Sequence, residues 1–137
     1  MVHADGMAGI VYVFCGDNKV RGDPAVRVLI GIGIDILEAV QAECMDIDML
    51  KREFGKDLSF WGGVGAQSVL ARTTPQQVIE GVCRTLASMS PGGGYIAAPC
   101  HTLTEEVAWE SAVAFHKAVQ RYGAYPFPGV EPGEAGR

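Results

Sequence analysis

The sequence predicts an α/β fold in which parallel strands alternate with helices, and three observations support this. Short apolar runs bounded by Gly, Pro or Asp, such as residues 34–40 and 95–98, are typical of strands buried on both faces. Segments of helical periodicity with start and stop signals lie between these runs. The connections are short, which favours right-handed crossovers between neighbouring parallel strands.

Four such strand-helix units amount to half of a (β/α)8 barrel. A complete barrel of this type needs about 200 residues or more, and the chain has 137. The sequence therefore predicts the C-terminal half of a (β/α)8 TIM barrel with four βα units. The competing prediction is an open four-stranded parallel sheet, whose outer strands would need to be covered.

Composition indicates one globular domain, since 48% of the residues are hydrophobic and 20% are charged. We assign residues 1–126 to this domain. Residues 127–137 contain two prolines and three glycines, and we expect a flexible C-terminal tail there.

Charge and hydropathy argue against two classes of partner. The net charge is −5 and no basic run is present, so we expect no nucleic acid partner. No stretch approaches about 18 uninterrupted apolar residues and no secretion signal begins the chain, so we expect no membrane association. The four cysteines are widely spaced and form no CxxC motif, which predicts reduced thiols in a cytoplasmic protein.

The first half of the chain offers three strand candidates, residues 1–3, 10–14 and 34–40. Between the last two, Asp23 and Pro24 have the residue types of an N-cap and a first helical residue, and Gly33 occupies the C-cap position. After residue 40, Asp46 or Asp48 begins a short helix that Gly55 closes.

The second half predicts two further strands, residues 58–64 and 95–98. Thr74 and Gln77 form a capping-box pattern, which predicts a helix that runs to Pro91. A last helix is predicted from apolar residues at helical spacing: Ala112, Phe115, Val119 and Tyr122.

Residue types capable of chemistry follow these strands directly. Cys100 and His101 come just after residues 95–98, while Cys15 and Cys44 follow two earlier strands. The carboxyl ends of strands in parallel α/β folds form the edge at which ligands bind, so all four side chains are candidates for a site.

Several stretches together resemble the C-terminal part of the uroporphyrinogen decarboxylase superfamily. They are IGIDIL with VQ (32–37 and 40–41), LKREFG (50–55), LSFWGG (58–63) with Gln67, TPQQV (74–78), PGGGYIAAP with His101 (91–99 and 101), and Glu110 with YG and Pro126 (122–123). The resemblance covers about residues 33–126. It implies a (β/α)8 barrel, of which this chain would be the C-terminal half.

The resemblance first implies a lyase of porphyrin biosynthesis that decarboxylates a tetrapyrrole without a cofactor. His101 then falls on a position at which such enzymes place a substrate-contacting, catalytic histidine. Gln41 and Gln67 lie in the similar motifs, and Arg72 lies on a strand-end loop, so these three are candidates for substrate binding. The arginine-rich motif and the catalytic Asp and Tyr of the decarboxylases belong to the other half of such a barrel.

A second branch of the superfamily implies a different chemistry, a zinc-dependent methyltransferase that acts with a corrinoid protein. Its zinc ligands would come from Cys15, Cys44, Cys100 and His101, with Glu110 as a further candidate. However, Val13 occupies the position at which this branch has a histidine before Cys15.

The third alternative is a truncated, inactive half-barrel. For an isolated half we expect partial exposure of the strand residues Ile36, Phe60 and Ile96. We therefore predict that the chain alone is not a competent catalyst, and that it either forms a homodimer or belongs with a missing N-terminal half.

Overall fold

The computed structural model describes residues 24–127 and, for its backbone, residues 11–13. It has a mixed α/β fold built on a parallel sheet. Three strands, β2 (Ile36–Val40), β3 (Ser59–Val64) and β4 (Tyr95–Pro99), pair consecutively and in parallel. The short β1 (Val11–Val13) pairs with β2, also in parallel, so the order in the sheet is β1-β2-β3-β4.

Four α-helices accompany the strands in the described part of the chain: α1 (Pro24–Gly31), α2 (Ile47–Phe54), α3 (Pro75–Met89) and α4 (Trp109–Tyr122). Their buried residues join those of the strands in one hydrophobic core. None of these helices has the length and apolar character that crossing a membrane requires.

The predicted helix starts are confirmed where the structure describes them. The Oδ1 atom of Asp46, rather than Asp48, accepts a 2.9 Å hydrogen bond from the Met49 amide and caps α2. Thr74 and Gln77 form the predicted capping box of α3. The Thr74 amide donates a 2.9 Å hydrogen bond to Oε1 of Gln77, and the Gln77 amide donates a 3.3 Å hydrogen bond to the Thr74 hydroxyl.

At the other end of a helix, Gly33 follows α1. It has a φ of 87°, a conformation that glycine adopts without the steric cost of a Cβ atom.

The two faces of the sheet are packed differently. Register pairs Leu37 with Phe60 and Phe60 with Tyr95, and all three side chains are buried under the helices. We call this the covered face. Register also pairs Trp61 with Ile96, on the opposite face, where these side chains are 38% and 43% exposed. We call this the open face.

One expectation about exposure is wrong. Phe60 is fully buried, although it was expected to be partly exposed together with Ile36 and Ile96. Side chains alternate along a strand, and Phe60 is in register with Tyr95 rather than with Ile96, so it points toward the helices. Ile36 is half-buried and Ile96 is exposed, as predicted.

The predicted strand at residues 1–3 lies outside the described residues. At the other end, Phe127 is half-buried and packs against the core, whereas residues 128–137 of the expected tail are not described. A short π-helical turn occupies Ala66–Leu70, between the predicted strand at residues 58–64 and the predicted helix that begins after Thr74. It follows β3 and shapes the edge of the sheet described next.

Candidate functional site

The carboxyl ends of β2, β3 and β4 lie at one edge of the sheet, as the parallel pairing requires. Three segments follow these strands: residues 41–46 after β2, the π-helical turn Ala66–Leu70 with the loop to Thr74 after β3, and residues 100–108 after β4. We call this region the carboxyl edge. Its segments contain all of the described candidate residues except Glu110, which lies on α4.

A groove of about 560 Å³ opens between the second and third of these segments. Gln67 and His101, two of the predicted site residues, both line it, and the His101 side chain is exposed. The complete lining is Ala66, Gln67, Ala71, His101, Thr102, Thr104, Glu105 and Glu106. The structure thus brings together residues that are 34 positions apart in the sequence.

Arg72 is another of the candidates for substrate binding. It lies beside this groove and pairs with Glu106, one of the lining residues. Its Nη2 atom donates to Oε1 of Glu106 over 3.0 Å, and both side chains are largely exposed. The φ of Arg72 is 59°, in the left-handed region that few non-glycine residues adopt. Because Glu106 already pairs with Arg72, the guanidinium is only partly available to a ligand.

The charge of the groove lining is acidic. Glu105 and Glu106 are exposed carboxylates in the lining, and Arg72 neutralises one of them. Within the described residues, this groove therefore favours neutral or cationic groups over carboxylate groups.

Gln41 lies elsewhere on the carboxyl edge. Its backbone carbonyl accepts hydrogen bonds from the amides of Cys44 and Met45, at 3.0 and 2.9 Å, and so closes the turn after β2. The side chain is half-buried and does not line the groove.

Glu43 connects two segments of the carboxyl edge, a role that the sequence did not reveal. Its Oε1 atom accepts hydrogen bonds from the amide and the hydroxyl of Ser68, at 3.1 and 2.7 Å. Burial opposes ionisation of Glu43, but these hydrogen bonds favour the carboxylate and hold its pKa below the ordinary value. A Cβ atom at Gly65 would lie 2.3 Å from Oε1 of Glu43 and 2.1 Å from the Ser68 hydroxyl, so a larger residue there would displace one or both of these groups.

Cys100 joins the third segment to the other two. Its side chain is only 2% exposed, and its Sγ atom accepts a 3.2 Å hydrogen bond from the amide of Ala66. Sγ also lies 3.9 Å from Oε2 of Glu43, to which the thiol can donate. Burial raises the pKa of the Cys100 thiol, the Ala66 amide opposes this effect, and the Glu43 carboxylate adds to the increase. The protonated, enclosed thiol is a structural link and a poor nucleophile.

The proposed zinc ligands do not converge in the part of the chain that the structure describes. Cys44 is half-buried, Cys100 is enclosed and His101 is exposed. Within residues 24–127, no group of three or more His, Cys, Asp or Glu side chains has an arrangement that could hold a metal ion. Cys15 lies outside the described residues, and Glu110 lies on α4 beside a separate groove. The described residues alone therefore do not fit zinc.

The signal that could have identified Glu43 is its position after a parallel strand, the same signal that identified Cys44. Its partners Ser68 and Cys100 are 25 and 57 residues away, so no local pattern connects them.

No protein-family model matches the chain, and no curated protein is significantly similar to it.

Proposed function

We propose that this chain is the C-terminal half of a (β/α)8 barrel related to the uroporphyrinogen decarboxylase superfamily, with four βα units. The support is the strand order, which never reverses, together with a single core that contains the buried residues of all four helices. Doubly wound sheets reverse their strand order and carry helices on both faces. A half-barrel has helices on one face only, and its other face lines the interior of the ring.

The site in this proposal is the groove at the carboxyl edge, which His101 and Gln67 both line. This shared lining is the single observation that carries the proposal. A volume of about 560 Å³ is in the range of small-molecule sites. His101 is the substrate-contacting residue because its imidazole can donate or accept a hydrogen bond, and Gln67 and Arg72 help to orient the ligand.

The reaction proposed first is the decarboxylation of a tetrapyrrole, without a cofactor, in porphyrin biosynthesis. The motif resemblance supports it. Within the described residues, however, the acidic groove lacks the cationic groups that such a substrate needs. A tetrapyrrole with several carboxylates needs cationic partners, and Arg72 is already paired. Those cations would come from outside the described residues. We expect no turnover by this chain alone, because a complete barrel assembles its site from the loops after all eight strands. Cytoplasmic location belongs to the same proposal, and the free thiols of Cys44, Cys83 and Cys100 accord with it.

A zinc-dependent methyltransferase acting with a corrinoid protein is the second candidate. The observation in its favour is the presence of Cys44, Cys100 and His101 on neighbouring segments of one edge. A zinc site there would need at least one ligand from outside the described residues, with Cys15 as the candidate in this chain.

The test measures tetrapyrrole binding and metal content on the same purified protein. Uroporphyrin is titrated and followed by absorbance, and we expect His101→Ala to weaken binding about 10-fold, as the loss of one hydrogen bond to a charged group would. His116→Ala is the matched control, because His116 is also exposed but lies on α4, away from the groove.

Equal affinity of the His101→Ala variant and the wild type would contradict the proposed role of His101. Stoichiometric zinc after purification would favour the methyltransferase. Absence of both uroporphyrin binding and zinc would leave the inactive half-barrel, the third alternative.

A further inference from the structure

The open face is unusual for a parallel sheet, because such sheets are normally covered on both faces. Trp61 and Ile96 are 38% and 43% exposed there, while their strand neighbours Phe60 and Tyr95 are buried on the covered face. Alternation along β2 also places Ile36 and Glu38 on the open face, opposite to the buried Leu37. This face is largely apolar, since Glu38 is the only charged residue in the described strands.

The sheet also has two edges at which the described strands lack a partner. In the order β1-β2-β3-β4, the first and last strands each pair on one side only. Unpaired edge amides and carbonyls are a template for another strand. Because every pair in the sheet is parallel, a partner that continues it would bring a parallel strand to each edge.

The two ends of the helical layer expose apolar side chains as well. At the α1 end, Val28 and Ile32 are 62% and 55% exposed. At the α4 end, Trp109 is 77% exposed. In a complete barrel these are the helices that would contact the next helices of the ring.

We infer that a second copy of this chain closes the barrel, related to the first by a two-fold axis along the barrel axis. A rotation about an axis that runs along the barrel preserves the direction of all strands. It brings β4 of each copy beside β1 of the other, and α4 of each copy beside α1 of the other. The dimer then covers the open faces, the sheet edges and the helical ends of both copies in one closed, isologous interface.

The contact area is sufficient for such a dimer. Four strands about 4.8 Å apart and about five residues long give an open face of about 300 Å². The helices α1 and α4 have 8 and 14 residues, and a helix rises about 1.5 Å per residue and is about 10 Å wide. The free sides of these two helices therefore add an area similar to that of the open face. Two copies therefore bury roughly 1,200 Å², the lower end of the range for specific, stable interfaces.

The two-fold axis has a consequence for Glu38. In a ring of eight strands, β2 and its symmetry mate are four positions apart and face each other across the interior. The two Glu38 side chains therefore approach each other, and two like charges in such an enclosed space oppose association. If a different chain supplied the other half of the barrel, no second Glu38 would face the first.

The candidate site would then be shared between the copies. Each copy contributes its own His101, Gln67 and groove to one barrel mouth, so the complete site contains each residue twice. The inference rests on the half-barrel in the proposed function and not on its substrate, so the test below needs no ligand or turnover.

The test is analytical ultracentrifugation of the purified 137-residue chain up to about 100 µM, a range in which weak specific dimers assemble. We expect a reversible species of twice the 14.6 kDa chain mass. Ile96→Glu should weaken the dimer at least about 10-fold, because a charge would be buried in the interface. Glu38→Gln should tighten it by relieving the repulsion between the symmetry mates.

Ala87→Glu is the matched control, since it adds the same charge at an exposed position of α3 and should leave the dimer unchanged. Circular dichroism establishes that each variant is folded. A readout that needs no variant is the tryptophan emission of the wild type, which should shift to shorter wavelength with concentration as Trp61 on the open face becomes buried.

Four results would overturn the inference: a folded monomer at all concentrations, an open series of larger species, equal effects of Ile96→Glu and Ala87→Glu, or a dimer that Glu38→Gln weakens. A folded monomer that binds uroporphyrin through His101 would refute the dimer while leaving the proposed function intact.

Discussion

The two faces of the sheet carry similar residues but have different surroundings. Phe60 and Trp61 are consecutive aromatic residues of β3, and Tyr95 and Ile96 are consecutive residues of β4. The first residue of each pair is buried under the helices and the second is exposed on the open face. The comparison shows that hydrophobicity alone does not decide burial here. The direction of each side chain and the presence of a covering layer decide it.

The largest expected effect is on the covered face. Phe60→Ala should lower the free energy of unfolding by about 3–5 kcal/mol, because it leaves a cavity beneath the helices. Urea denaturation at fixed protein concentration measures this change. A loss below about 1 kcal/mol would show that the covered face is not the principal core.

A smaller effect is expected from a polar contact on the same face. The Tyr95 hydroxyl donates a 2.7 Å hydrogen bond to the carbonyl of Gly62, and both are buried. Tyr95→Phe keeps the ring and leaves this carbonyl without its partner, so we expect a loss of about 1–3 kcal/mol in the same denaturation experiment. Tyr122→Phe on the half-buried side of α4 is the control and should have a smaller effect.

The carboxyl edge, where both faces end, allows a test of pH dependence. The pKa of Glu43 is lower in the folded state than its ordinary value of 4.5, so its stabilising contribution is present above that value. The contribution is lost as the pH falls through the lower, folded pKa. Glu43→Gln should therefore cost about 1 kcal/mol at pH 7 and less at pH 3.

The measurement for Glu43 is urea denaturation of both proteins at several pH values. A cost for Glu43→Gln that does not decrease on acidification would show that the ionised carboxylate does not account for the stabilisation.

The smallest effect is expected on the open face. Trp61→Ala should change the free energy of unfolding by less than about 0.5 kcal/mol in dilute monomer, because the side chain is already partly hydrated. The loss should grow with protein concentration if a second copy covers the face. A large loss at all concentrations would mean that Trp61 contributes to the fold of the single chain.

Much of the fold could be predicted from local patterns. Strands β2, β3 and β4 lie within two residues of the predicted boundaries, and the starts of α2 and α3 follow their capping residues. The candidate site was predicted only in part. Gln67, Arg72 and His101 gather around one groove, whereas Gln41 and Cys44 lie apart from it and Cys100 is enclosed.

Features that depend on neighbours within about four residues follow from the amino-acid sequence alone. The capping box of Thr74 and the periodicity of α3 are of this kind, because their hydrogen bonds and side-chain contacts are local. The alternation of side-chain direction along each strand is local as well, but it does not determine which of the two faces the helices cover.

Which face is covered depends on tertiary packing, and so do the burial of Phe60 and the exposure of Ile96. Tertiary packing also determines the connection of Glu43 with Ser68 and Cys100, and the enclosure of a thiol that the sequence offered as a metal ligand. These contacts join segments 25 to 57 residues apart. The physical reason is that folding brings distant segments to the same edge of the sheet, and a local sequence pattern contains no information about that distance.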